Sequence, residues 1–182
     1  MHHADPKREA LRHRIAATLR DVPDFPKAGI VFKDITPVLG NAVLLRDVIA
    51  AMAAPWSGEG ITHVAGIESR GFIFGVPVAL ALGAGFIPIR KPGKLPGRTL
   101  SQEYALEYGT DRLEVHVDAC PATSRVLVVD DVLATGGTAR AACALISELG
   151  GDVVGCSFLL AIQVLKGRGR LEGRRVEALL EV

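Results

Sequence analysis

Apolar positions follow two rhythms along the chain, short unbroken blocks and stretches in which they return every third or fourth residue. Blocks without polar alternation suit strands at the centre of a parallel sheet that is covered on both faces. They predict strands at residues 61–67, 86–89, 126–129 and 153–162, with residues 113–117 alternating as a further strand and 176–182 closing the chain as an edge strand. The second rhythm predicts amphipathic helices. Residues 5–20 place Leu11, Ile15 and Leu19 at i, i+4 and i+8 before Pro23 and Pro26 stop the helix. Asn41 caps a helix running to about Ala54 with Leu45, Ile49 and Met52 inward. Residues 139–150 repeat Ala142, Leu145, Ile146 and Leu149 at i, i+3, i+4 and i+7.

Between these elements, residues 28–37 form an apolar stretch broken by Lys33 and Asp34, which predicts a short edge strand whose Phe32 enters the core. Residues 55–60 are a loop. Residues 71–89 carry no charge over nineteen positions, a length that approaches a membrane span. Four glycines and two prolines break it, so it divides into a buried helix ending near Leu82, a turn, and the strand at 86–89. Alternation of strand and helix from residue 61 to 160 predicts an α/β fold, a predominantly parallel central sheet flanked by helices.

At 182 residues the chain suffices for a single domain. Neither an internal repeat nor a low-complexity linker is present. Lys and Arg number 21 against 20 Asp and Glu, which argues against a general nucleic-acid surface and makes any basic site local. Cys120, Cys143 and Cys156 share no C-x-x-C spacing and lie in or near apolar segments, as buried free thiols do in a reducing compartment. Charges and Pro6 occupy the N-terminus where a secretory signal needs an apolar core, so the expected location is cytoplasmic, with no membrane partner. His2, His3 and His13 have no metal-ligand spacing.

The most specific chemistry lies at residues 126–139. A Val-rich strand is expected to end at Asp130 and Asp131, and Thr135-Gly136-Gly137-Thr138 then leads into a helix. The glycines let the backbone approach an anion, the threonines add hydroxyl donors, and the helix N-terminus presents unpaired N–H groups. A phosphate fits that turn, and the carboxylates upstream suit neutral hydroxyls of the same ligand, so a sugar diol beside a phosphate satisfies both halves. Neither a Walker A loop nor a G-x-G-x-x-G fingerprint is present. Val129-Asp130-Asp131-Val132-Leu133-Ala134-Thr135-Gly136-Gly137-Thr138 resembles the phosphoribosyl-pyrophosphate (PRPP) signature of type I phosphoribosyltransferases. That resemblance implies that Asp130 and Asp131 hold the ribose hydroxyls while Ala134, Thr135, Gly136, Gly137 and Thr138 wrap the 5′-phosphate.

Three further motifs follow the same family in order. Residues 25–37 are similar to the N-terminal hood of adenine phosphoribosyltransferases, which implies adenine contacts from Val31, Phe32 and Lys33 and a hood over the base site. Ser69-Arg70-Gly71-Phe72, at the C-terminal end of a predicted strand, resembles the family's pyrophosphate loop, with Gly71 allowing close approach. Residues 90–98 carry four positive charges among two prolines and two glycines, hence a loop, and Arg90, Lys91 and Lys94 are candidates to neutralise diphosphate. Residues 103–109, within 99–112, resemble the family's flexible lid, which would span about 95–112, and the resemblance makes Glu107 the candidate acid/base with Tyr108 beside it. Ile162 corresponds to a position that packs on the base, whereas Ala161 departs from the family's expected Glu. The basic, glycine-rich residues 166–170 read as a solvated surface turn, with contact to a phosphate as the less favoured alternative.

Together these resemblances imply a type I phosphoribosyltransferase fold and transfer of the phosphoribosyl group from PRPP to adenine, giving AMP and pyrophosphate. Diphosphate leaves through a transition state with oxocarbenium character, helped by Mg2+, Arg70, Arg90, Lys91 and Lys94. No direct protein ligands to Mg2+ are expected, since PRPP and water hold it. Alternatives are a xanthine or 6-oxopurine phosphoribosyltransferase on the same frame, or a PRPP-sensing regulator. Family members are usually homodimers, so a homodimer is expected.

Overall fold

The computed structural model describes residues 6–105 and 109–182. Two compact units divide the chain, residues 1–51 and 52–182. The first contains α1 (Pro6–Thr18), β1 (Arg20–Pro23), β2 (Val31–Asp34), α2 (Thr36–Leu39) and most of α3 (Ala42–Ala53). Leu11 and Ile15 form the buried stripe of α1, as their four-residue spacing predicts. β1 pairs antiparallel with β2, setting Val22 opposite Phe32. Sequence pattern misses β1 because Val22 is its only apolar residue besides Pro23. Phe32 is half-buried rather than a core residue, and its ring meets the edge of Phe25 at 5.2 Å. Asn41 caps α3 as expected, its Oδ1 accepting the Leu44 N–H at 3.0 Å. Leu44, Val48 and Met52, not Leu45 and Ile49, are the fully buried positions. Two apolar stripes of equal spacing lie side by side on this helix, and periodicity alone does not rank them.

The second unit contains β3 (His63–Ile67), α4 (Arg70–Leu82), β4 (Gly85–Ile89), β5 (Thr99–Ala105), β6 (Thr110–His116), β7 (Arg125–Leu133), α5 (Gly137–Glu148), β8 (Asp152–Ala161) and β9 (Arg175–Glu181). Five strands make one parallel sheet in the order β4-β3-β7-β8-β9. The fully apolar blocks occupy its centre: residues 126–129 of β7 and 158–160 of β8 are buried throughout. β9 lies at one edge, as predicted. α4 ends at Leu82, where Gly83 adopts φ 67° and its N–H caps the helix on the Ala79 and Leu80 carbonyls. Its 13 residues and the following turn divide the uncharged stretch, and among the described residues no helix is long and apolar enough to cross a membrane. Residues 55–60 include more structure than a loop: a 3₁₀ turn at Ala54–Trp56 buries the indole, with the Arg175 guanidinium 4.6 Å from the ring centroid.

β5 and β6 form a separate antiparallel hairpin, joined to the end of β4 by backbone pairing of Arg90 with Glu114. From β3 the chain crosses to β4 on one side and later enters β7 on the other. This reversal leaves the C-terminal ends of β3 and β7 flanking a switch point, the place where open α/β sheets accept ligands.

Candidate active site

β7 does not stop at the acidic pair as expected. Asp130 registers with Phe158, Val132 with Leu160 and Leu133 with Ala161, so apolar residues beyond the pair keep the ladder with β8 intact. Both acids therefore sit on rigid backbone. Asp131 is buried and its Oδ2 lies 2.8 Å from Nε of Arg70, which opens α4. Asp130 is half-buried and its Oδ1 accepts the Asp131 N–H at 2.9 Å. Burial, followed by the neighbouring Asp131 charge, holds the Asp130 carboxyl well above the usual range. Burial raises Asp131 as well, against the opposing pull of Arg70. Gly71 explains how the first turn of α4 reaches this pair: a β-carbon there would stand 2.9 Å from Asp130 Oδ1 and 2.9 Å from the Val129 carbonyl. The close approach that Gly71 permits is thus to the protein's own acid.

Beyond β7, Gly136 turns through φ 81° and α5 starts at Gly137 without a side-chain cap. The first-turn N–H groups are left for a ligand. A cavity of about 60 Å3 opens here, lined by Asp130, Leu133, Ala134, Thr135, Gly136 and Thr138 among others. Residues 166–170 are largely the solvated turn that their composition predicts, with Lys166, Arg168, Gly169 and Arg170 exposed. Gly167 is buried in a 3₁₀ turn, Gly167–Leu171, and a β-carbon on Gly136 would collide with its carbonyl. One on Gly167 would collide with the Ala134 carbonyl, so this segment backs the turn at residues 134–138. Close packing calls for glycine at both positions, and at Gly136 the left-handed backbone does so as well.

The candidate diphosphate cations gather near the same strand ends, and three of the four are already paired with acids. Arg70 meets Asp131, Nε of Arg90 donates to Glu68 Oε2 at 3.0 Å, and Lys91 Nζ contacts the Asp111 carboxylate. Tyr104 joins the last pair, its hydroxyl 3.3 Å from Lys91 Nζ and 3.1 Å from Asp111 Oδ2. Lys94 forms no ion pair among the described residues, while its carbonyl accepts Arg90 Nη1 at 3.1 Å. Ser69 immediately precedes α4 at its N-cap position. Glu68 is the residue that sequence reasoning left without a role. It accepts both Arg90 and the Lys91 N–H at 3.0 Å, fixing the cationic segment to the end of β3. Burial pushes its carboxyl up, but these donors outweigh burial and hold it below the usual value. An acid at one strand end and a basic loop after the next strand was the available signal.

Ile162, half-buried, follows β8 and lines a cavity of about 330 Å3 with Leu133, Lys166 and Arg168. Ala161, the departure from the expected Glu, is itself buried in the sheet beside Leu133. In the first unit Val31 is exposed, and Lys33 Nζ pairs with Asp21 at 2.7 Å. Glu107 and Tyr108 lie outside the described residues. Among the described residues, no group of three or more His, Cys, Asp or Glu side chains is placed to hold a metal ion. The arrangement provides an anion cradle, two carboxylates beside it, and cations whose present counter-charges are protein carboxylates that an incoming diphosphate can replace.

Over residues 42–175 the sequence matches the family described as the phosphoribosyl transferase domain. It is 60% identical over 164 residues to an adenine phosphoribosyltransferase of Myxococcus xanthus, covering 90% of this chain and 89% of that protein. The fold resembles adenine phosphoribosyltransferase from Rhodothermus marinus, with a TM-score of 0.91 and 51% identity over 96% of this chain and 99% of the other. It also resembles the Saccharomyces cerevisiae adenine phosphoribosyltransferase complexed with adenine and D-2,5-dideoxy-2,5-imino-altritol 1,6-bisphosphate. There the TM-score is 0.90 and the identity 39%, over 94% of this chain and 99% of that one.

Proposed function

The chain belongs to the phosphoribosyltransferase family, and from that membership we infer that it salvages adenine, transferring the 5-phosphoribosyl group of PRPP to give AMP and pyrophosphate. The observation that carries this reading is the acidic pair on β7 running directly into the uncapped start of α5. A ribose 5-phosphate presents a diol and a dianion at the matching ends of one molecule. Asp130 and Asp131 accept the hydroxyls, residues 134–138 receive the phosphate, and the anomeric carbon is thereby fixed for attack.

The purine nitrogen forms its bond to the anomeric carbon as the bond to diphosphate breaks, and the electron pair leaves with diphosphate. Arg70, Arg90, Lys91 and Lys94 stabilise that developing charge. Arg70 and Lys91 leave their carboxylate partners to do so, whereas Glu68 keeps Arg90 and the Lys91 backbone in place. Glu107 accepts the proton that the attacking purine loses, and Tyr108 lies next to it in the lid sequence. Closure of the lid excludes water, which competes for the same cationic carbon. Val31, Phe32, Lys33 and Ile162 are the base-reading candidates. Mg2+ bound to the diphosphate supplies further charge neutralisation.

A homodimer fits an apolar stripe on α4, where Ile73, Val76 and Leu80 stand exposed at i, i+3 and i+7. A cytoplasmic location fits the free thiols of Cys120, Cys143 and Cys156. The 6-oxopurine and regulatory alternatives have no observation in their favour. A spectrophotometric assay of adenine, hypoxanthine, guanine and xanthine with PRPP and Mg2+ tests the reading. Turnover is expected with adenine alone, because a site that hydrogen-bonds an amino group rejects an oxo group strongly. Turnover with a 6-oxopurine instead, or with no base, contradicts it.

A further inference from the structure

On the flank of α5, behind the phosphate loop, lies a cavity of about 470 Å3 that the reaction does not use. Its walls include Arg140 and Cys143 from α5 and Arg170, Glu172 and Arg174 from the segment before β9. None of its lining residues lines the phosphate cradle. Arg140, Arg170 and Arg174 line the cavity together with the one acid Glu172, and none of the three forms an ion pair among the described residues. Arg125, Arg168 and Arg175 in the same unit each meet an acid. Nε of Arg174 is buried and has no hydrogen-bond partner. A buried charged donor without an acceptor is unfavourable, and so is the crowding of three like charges. Phosphate oxygens relieve both, because the planar guanidinium fork donates two parallel hydrogen bonds to them.

We propose that this cavity is a second anion site, which binds a phosphorylated small molecule or free phosphate separately from the 5′-phosphate cradle. The observations do not depend on the reaction assigned above. A ligand here joins α5 to residues 167–171, the same segment whose Gly167 and Arg170 stand against Gly136 of the phosphate loop. Cys143 shares this wall, and its thiol is lowered first by the hydrogen bond with Cys156 at 3.6 Å, with burial opposing and Arg174 assisting.

The test is calorimetric titration of AMP-saturated protein with inorganic phosphate and, in a second arm, glycerol 3-phosphate, against chloride at equal ionic strength. Wild type and the double variant Arg140→Ala, Arg170→Ala are compared. Both side chains are exposed and unpaired, and alanine keeps the Arg170 β-carbon beside Gly136. Wild type is expected to bind phosphate, and the double variant at least about tenfold more weakly, while AMP affinity is unchanged. Glutamine at both positions repeats the comparison with side-chain length preserved. Tighter binding of glycerol 3-phosphate identifies a phosphomonoester as ligand, and preference for inorganic phosphate identifies the free ion. Equal phosphate affinity in wild type and both variants, or no binding beyond the chloride control, overturns the proposal. Failure of AMP to bind counts against the assigned reaction instead, and the phosphate titration is then read on the unliganded protein.

Discussion

Replacing Asp131 with Asn separates the ribose contribution from the diphosphate contribution, because Asp131 touches both through Arg70. Its carboxylate is buried, whereas the Arg70 side chain is 40% exposed, so losing the pair at 2.8 Å leaves a cation that water can solvate. An exposed partner of this kind contributes ~0–1 kcal/mol. Burial already raises the Asp131 pKa, so removing its charge also removes a desolvation cost, and the folded state should lose little stability. For the ligand, a ribose hydroxyl donating to a carboxylate contributes ~1.5–3 kcal/mol and to a neutral amide ~0.5–1.5 kcal/mol. The midpoints differ by about 1.25 kcal/mol, roughly eightfold in PRPP affinity. Pyrophosphate lacks the ribose, so its affinity should stay level, and adenine should be affected less than PRPP. Isothermal titration of the three ligands, with a thermal melt as control, reads all of this. Equal loss for PRPP, pyrophosphate and adenine refutes the diol assignment.

Gly71→Ala should destabilise the protein by about 1–3 kcal/mol and weaken PRPP binding, since its β-carbon meets Asp130 Oδ1 and the Val129 carbonyl at 2.9 Å; an unchanged melting temperature contradicts that packing. The raised pKa of Asp130 gives a definite pH dependence. A carboxyl raised on folding contributes stability that is fully present below its unfolded pKa of about 3.9 and is lost as pH rises through the folded value. Wild type should therefore lose stability relative to Asp130→Asn as pH climbs from about 4 toward neutrality, and melts that differ by a constant amount refute it. Glu107→Gln should lower single-turnover rate with little change in adenine affinity, and an unchanged rate removes Glu107 from the chemistry.

Local signals made much of the frame legible. Gly83 ends α4 because glycine takes the left-handed conformation there, and Asn41 starts α3 because its side chain accepts the Leu44 N–H. The end of β7 was not legible, because the ladder to β8 that carries the strand past Asp131 is a tertiary property. Non-local pairing also hid the state of the cations: Arg70, Arg90 and Lys91 are spoken for by Asp131, Glu68 and Asp111, acids from other elements or loops. Residues 166–170 are solvated as their composition suggests, but the burial of Gly167 against Ala134 was not legible, because that contact is tertiary. The acidic pair beside the glycine-rich start of α5 was readable because the two are contiguous in sequence; the clamp by Glu68 was not, because it joins two strand ends.

A crystal structure of the protein with AMP bound tests the central claim most directly. The 5′-phosphate is expected against the backbone amides of residues 134–138 and the ribose hydroxyls on the Asp130 and Asp131 carboxylates. A phosphate bound elsewhere, or a ribose whose hydroxyls meet neither carboxylate, contradicts it.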